Sequence, residues 1–240
     1  MQHTIETVEV NGSPMEVFLY APEGEGPHPA ILLAQHIPMG HAGIENDEFT
    51  MKTAERFAGS GYLVAVPFIF HWWPKEAEMD LKREESRDDW TLADLHATFD
   101  LMQKRDDVDN QRIAIVGHCW GGRVALLGAC HIPDFRVCVM FYGGNLNIGR
   151  GEGSPAPIDM VGQITCPVIG FFGNEDQNPS PQDVDDLEHA LDGAGVKHTF
   201  HRYNGAGHAF QCFTLPKVYC EEQSEDAWQK VLGYLSQHLR

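Results

Sequence analysis

No run of about 18 consecutive apolar residues occurs in the sequence, so no helical membrane span is expected. Positive charge is scarce: 17 Lys and Arg face 35 Asp and Glu, a formal net charge of -18. A chain with that balance repels phosphate backbones and anionic membrane surfaces, which argues against nucleic acid and lipid headgroups as partners. The six cysteines (Cys119, Cys130, Cys138, Cys166, Cys212, Cys220) form no CxxC pair and no metal-ligand spacing. Neither a disulfide framework nor a thiolate metal site is therefore expected, and free thiols in a reducing cytoplasm are. Residues Met1 to Glu6 show no basic cluster ahead of an apolar run, so no secretory leader is expected. Internal repeats, low-complexity tracts and composition breaks are also missing. The 240 residues, 42% of them hydrophobic, suffice for one large α/β domain over 1–240, as a monomer or small homo-oligomer.

What is present is an alternation of short apolar runs and helical patterns. Thr4 to Val10 and Met15 to Tyr20 flank Asn11-Gly12 and predict an antiparallel hairpin. Buried strands are expected at Ala30 to Ala34, Tyr62 to Pro67, Arg112 to Val116, Val137 to Tyr142 and Val168 to Phe172, with a further strand at His198 to Tyr203. Helices are expected at Asp47 to Ser60, Trp90 to Lys104, Gly121 to Cys130, Asp183 to Ala194 and Ala227 to Leu239. Strands alternating with helices of this length imply a mostly parallel sheet covered on both faces, with its chemistry beyond the carboxyl ends of the strands. The Gly- and Pro-rich connection over 143–165 is either an active-site flap or a surface loop.

Chemistry concentrates at Gly117-His118-Cys119-Trp120-Gly121-Gly122, placed after one expected strand and before the next helix. This is the G-x-nucleophile-x-G elbow of an α/β-hydrolase fold, with cysteine at its centre. The turn lifts the central side chain above the sheet and aims a helix N-terminus at it, which favours a thiolate. In this fold the acid and the base follow in chain order. Asp176, after the strand Val168 to Phe172, is the expected acid, with Glu175 second. His208, carried between Gly207 and Ala209 after the last strand, is the expected base; His201 competes but lies within the strand. Two backbone N–H groups should form an oxyanion hole, one from Trp120 and one from Ile37 in the loop Gln35 to Gly40, where Pro38 has no N–H to give.

Four pieces together resemble the dienelactone hydrolase family: Ala34-Gln35-x-Ile37, the G-x-C-x-G-G elbow, Gly173-x-x-Asp176, and Ala206-Gly207-His208-x-Phe210. The resemblance runs from about Ile31 to the C-terminal helix. It implies a cofactor-free hydrolase with a Cys-His-Asp triad that opens lactones or activated carboxylic esters by acyl transfer. It also implies a glutamate between the Gln and the Ile of the early loop, where this chain has His36. An arginine that binds the substrate carboxylate is implied four residues after the triad histidine, where this chain has Cys212. A second family arginine corresponds to Arg83 or Arg87. With Cys212 in place of a cation, substrates lacking a carboxylate are expected to be accepted at least as well as anionic ones.

Other candidate substrate contacts are His36, His71, Trp72, Arg83, Arg87 and Phe210. The run Phe68 to Trp73 follows a strand end and is expected at the pocket mouth, with packing over the sheet edge as the alternative. An imidazole at His36 would, once protonated, stabilise the Cys119 thiolate; otherwise it only shapes the loop. No metal is expected from His36, His41, His71, His118 and His208, since no pair has the i, i+4 spacing of a helical zinc site. The rival readings are a redox or thiol-sensing role for Cys119 and an inactive binding protein on the same scaffold.

Overall fold

The computed structural model describes residues 3–37 and 43–239; Pro38 and His41, considered above, lie outside the described residues. Eight strands form one sheet: β1 (Thr4–Val10), β2 (Ser13–Tyr20), β3 (His28–Ala34), β4 (Leu63–Pro67), β5 (Val108–His118), β6 (Val137–Phe141), β7 (Val168–Gly173) and β8 (His198–Tyr203). Their order is β1-β2-β4-β3-β5-β6-β7-β8. The first two pairings are antiparallel and the other five parallel.

Each end of this order follows from local chemistry. Val10 pairs with Ser13 around Asn11 and Gly12, both at positive φ (47° and 85°). That is the left-handed pair a two-residue hairpin needs, and Asn-Gly is the dipeptide that adopts it most cheaply. The edge strand β1 shows alternating exposure, whereas β4, β6 and β7 are buried at every position, as strands covered on both faces must be. Each fully buried Val, Leu or Ile of these strands contributes on the order of 1.5–3 kcal/mol.

Among the described residues there are six α-helices: α1 (Glu48–Gly59), α2 (Met79–Glu85), α3 (Asp88–Gln103), α4 (Trp120–His131), α5 (Pro181–Ala194) and α6 (Glu221–Leu239). Phe57 of α1 meets Trp228 of α6 at 4.5 Å between ring centroids, which pairs these two helices on one face. On the other face Phe99 of α3 meets Phe135, just beyond α4, at 5.0 Å. Asp47 caps α1 by accepting the Thr50 N–H, and Ser180 with Asp183 forms a capping box on α5.

The structure extends several expected elements. β5 starts at Val108 rather than Arg112, α3 at Asp88 rather than Trp90, and α6 at Glu221 rather than Ala227. The 143–165 connection contains a 3₁₀ helix over Pro157–Gln163.

Packing at the carboxyl ends of β3, β5 and β6 leaves no room for side chains at two glycines of the turn after β5. A Cβ on Gly117 would stand 1.9 Å from the Gly121 carbonyl oxygen, and one on Gly121 would stand 2.2 Å from that of Ala34. Gly121→Ala is expected to cost about 1–3 kcal/mol through overpacking, measurable as a melting temperature several degrees lower; an unchanged melting curve would refute this account of the turn.

Candidate active site

Cys119 sits between β5 and α4 with φ 54° and ψ -119°. A non-glycine residue in this region is strained, by about 1–3 kcal/mol, and the surrounding chain must hold it there. It is held by the Cys119 N–H donating to the Phe141 carbonyl at 3.0 Å, and by the Gly122 and Arg123 N–H groups donating to the Cys119 carbonyl. The side chain is thereby directed away from the core, partly exposed, at the start of a helix.

Two loops from the far half of the sheet meet it. Gly173 is packed so closely that a Cβ there would lie 2.2 Å from the Ala206 carbonyl oxygen, which brings the turn after β7 against the turn after β8. Asp176 comes from the first turn and His208 from the second. His208 Nδ1 lies 2.9 Å from Asp176 Oδ2, and its Nε2 lies 3.1 Å from Cys119 Sγ. The other carboxylate oxygen, Oδ1, accepts the Asn178 N–H at 2.9 Å. Asp176 is buried, at 2% exposure, so its charge acts with little screening from water. Burial alone would lower the His208 pKa. The hydrogen bonds and negative charges of Asp176 and Cys119 outweigh it and push the imidazole up to about 10. Glu175, the second-choice acid, is exposed and faces the Gly205 N–H instead. His201 stacks on Phe171 away from this group.

Cys119 and His208 open onto a cavity of about 330 Å³. Ile37, Trp120 and His36 line it as well. Trp120 is the first residue of α4, so its N–H is among those that a helix leaves without an internal partner. The tight contact of Gly121 with the Ala34 carbonyl brings the chain leading to Ile37 alongside the elbow. His36 is oriented by a 2.7 Å contact between its Nε2 and Asp47 Oδ1. Cys212 lines the cavity too, with its Sγ 3.1 Å from Thr214 Oγ1, and burial pushes its thiol up, keeping it neutral. Beneath the elbow His118 stacks flat on Phe141 (4.3 Å), and burial, followed by the charge of His36, pushes it down to about 3.

Of the candidate substrate contacts, His36 and Arg83 line the cavity at Cys119, whereas the structure places His71, Trp72, Arg87 and Phe210 outside that lining. The reason is Asp94, a fully buried carboxylate on α3 that must find donors. His71 Nε2 meets its Oδ1 at 2.8 Å, the Trp72 indole N–H donates to its Oδ2 at 3.1 Å, and Ser13 Oγ meets the other His71 nitrogen at 2.8 Å. Trp72 then stacks on Trp90 at 5.0 Å. The aromatic run is therefore a packing cluster that ties the hairpin to α3. Burial pushes the Asp94 carboxyl up to about 6, with the His71 and Trp72 contacts opposing it. Arg87 is occupied by Asp89 through two hydrogen bonds, and Phe210 is fully buried against Tyr142 and Tyr203.

Of the lining residues that the sequence did not single out, three come from the 143–165 connection, and Asn178 and Leu215 come from later loops. Gly144, Asn145 and Arg150 line the cavity, as does Tyr142 just before them, whose φ is 39°. A buried ion pair holds this stretch. Arg123 of α4 donates to both oxygens of Asp88 at 2.6 and 3.0 Å, and also to the carbonyls of Asn145 and Ile148. The Arg150 N–H donates to Asp88 Oδ2 at 2.8 Å. The one signal in the sequence was that Arg150 is the single basic residue of 143–165.

The model of the dienelactone hydrolase family matches residues 15–239. The chain belongs to that family, and with it to the hydrolases of ester or lactone bonds. A "Putative carboxymethylenebutenolidase" of Yersinia pestis is 27% identical over 240 residues, covering 97% of this chain and 87% of that protein. A "Probable 2-oxo-3-(5-oxofuran-2-ylidene)propanoate lactonase" of Bradyrhizobium is 29% identical, covering 97% of this chain and 93% of the relative. Among solved structures, a putative dienelactone hydrolase from Klebsiella pneumoniae superposes with a TM-score of 0.86 at 28% identity, covering 98% of each chain. None of the described helices is long and apolar enough to cross a membrane.

Proposed function

We propose that this member of the family is a cysteine-nucleophile hydrolase that opens a small lactone or an activated carboxylic ester through a thioester intermediate. The observation that carries this reading is the hydrogen-bonded chain Cys119–His208–Asp176, at 3.1 and 2.9 Å, facing the 330 Å³ cavity. In the first half-reaction the Cys119 thiolate attacks the carbonyl carbon, and the N–H groups of Trp120 and Ile37 receive the oxyanion. As the C–O bond breaks, the His208 imidazolium gives its proton to the departing oxygen. In a lactone that oxygen stays tethered as the new hydroxyl. In the second half-reaction neutral His208 takes a proton from water, and the hydroxide adds to the thioester. The thiolate then leaves, regenerating the ion pair with His208. A thiol used this way must stay reduced, so we place the protein in the cytoplasm.

Mixing the enzyme with excess 4-nitrophenyl acetate is expected to release a burst of nitrophenol equal to the enzyme concentration, followed by steady turnover. Intact mass taken in the burst should show one acetyl group, mapped to Cys119 after digestion. Turnover with the acetyl group on another residue, or an acylated Cys119 that never turns over, would replace this reading with one of the rivals.

A further inference from the structure

The cavity carries a cation that no carboxylate contacts as an ion pair among the described residues. Arg150 is half-buried in its wall, with its guanidinium carbon 4.6 Å from the centre of the Trp120 ring. Its Nη1 donates to two neutral acceptors, the Arg83 carbonyl at 2.8 Å and Ser86 Oγ at 3.2 Å. Its Nε–H is buried and has no hydrogen-bond partner among the described residues. Burial and then Arg123 disfavour its charge, and Asp88 favours it. The other sheltered arginines are placed differently. Arg105 holds Asp107 and Glu6, Arg112 holds Asp109, Arg123 holds Asp88, and Arg202 holds Asp185 and Glu188. In a chain with about twice as many acids as bases, an arginine with no acidic partner among the described residues, in the cavity that Cys119 also lines, is conspicuous.

A guanidinium keeps its charge when desolvated, so a cation held this way costs free energy until an anion meets it. The backbone around it is fixed: the Arg150 N–H and carbonyl are both bonded at Asp88, which in turn pairs with buried Arg123. The side chain is thus held in place before any ligand arrives, which lowers the cost of ordering it on binding. Arg83, the other cation of the cavity wall, is exposed and already pairs with Asp80 at 3.0 Å, so it is the weaker anchor.

We propose that Arg150 is the specificity-determining residue of the site, and that it receives a carboxylate carried on the acyl side of the substrate. The anion contact is then supplied by the connection after β6, which carries Arg150 into the cavity wall. This rests on the cysteine-hydrolase reading, and reverses the expectation that carboxylate-free substrates are accepted at least as well as anionic ones.

The test compares 4-nitrophenyl hemisuccinate with 4-nitrophenyl 4-methylpentanoate, which carries an isopropyl group where the first carries a carboxylate. Charge-assisted hydrogen bonds of this kind set the expected scale: the ratio of kcat/KM for the anionic over the neutral ester should fall about tenfold or more in Arg150→Gln, and less in Arg150→Lys. Arg87→Gln, whose arginine is outside the cavity, serves as the control and should leave the ratio as in wild type. A second readout needs no ester turnover: the rate of Cys119 alkylation by iodoacetate relative to iodoacetamide should fall in the same variants. A turnover ratio and an alkylation ratio both within twofold of wild type in Arg150→Gln would overturn the proposal. If both esters fail as substrates while the alkylation ratio falls, the anion site stands and the hydrolase reading fails.

Discussion

Cys119→Ala is expected to lose turnover of 4-nitrophenyl esters by roughly 10⁴-fold or more, the scale seen when a nucleophile is removed from an intact triad site. Folding should survive. The Cys119 side chain points into the cavity rather than the core, and alanine has the same Cβ and so meets the same backbone strain at φ 54°. Cys119→Ser should also be poor, because His208 must then generate an alkoxide rather than a thiolate in the same geometry. Cys119→Gly adds a check on the strain itself. Relief of about 1–3 kcal/mol at a left-handed position exceeds the roughly 0.5–1 kcal/mol of extra chain entropy that glycine brings. The glycine variant, equally inactive, should therefore melt above the alanine variant. An alanine variant that keeps more than a tenth of wild-type kcat/KM would remove Cys119 from the mechanism; a glycine variant that melts below it would remove the strain argument only.

The elbow was legible in the sequence because its constraints are local. Gly117 is fixed by a 1.9 Å clash with Gly121 four residues on, and a strand-turn-helix with small residues at both positions has few other uses; the 2.2 Å limit on Gly121 comes instead from distant Ala34. The Asn11-Gly12 turn was legible for the same reason. The lining of the cavity was not, because it depends on pairings between residues far apart in the chain. Arg150 faces the site only because Arg123 and Asp88 hold its backbone there, and nothing in residues 143–165 alone announces that. The aromatic run 68–73 left two placements open for a related reason: the choice is made by Asp94, a carboxylate on a helix later in the chain that is buried and satisfied by His71 and Trp72. Helix α2 was missed because its seven residues, Met79–Glu85, are mostly charged, and one of the two it buries is Lys82, whose ammonium donates to the Lys75 carbonyl at 3.1 Å. A helix that hides a lysine does not show the apolar periodicity by which helices are recognised.

Asp176→Asn is expected to lower kcat/KM by about 10³- to 10⁴-fold, mostly through the histidine tautomer. The two carboxylate oxygens do different work: Oδ1 accepts the Asn178 N–H, and Oδ2 accepts the proton on His208 Nδ1. An asparagine that keeps its oxygen toward Asn178 turns its NH₂ toward His208. The imidazole must then accept at Nδ1 and carry its proton on Nε2, facing Cys119, where it can no longer take a proton from the thiol or from water. The pH profile changes as well. In the wild type the hydrogen bonds and charges of Asp176 and Cys119 overcome burial and hold His208 protonated up to about 10, so activity that needs the imidazolium is lost only as pH rises through that value. Stability from this ion pair follows the same sign: it is fully present below the unfolded histidine value of about 6.5 and is lost as pH rises through the folded one. Removing the Asp176 charge leaves burial, which lowers the histidine pKa, with less to oppose it. The alkaline limb of kcat/KM should therefore move to lower pH in the asparagine variant, measured between pH 5 and 10.5 with a neutral ester, alongside an amide-to-acid control for deamidation. A limb that stays in place, or moves up, would mean that the high value of His208 does not come from Asp176, and the orienting role would have to be reassigned.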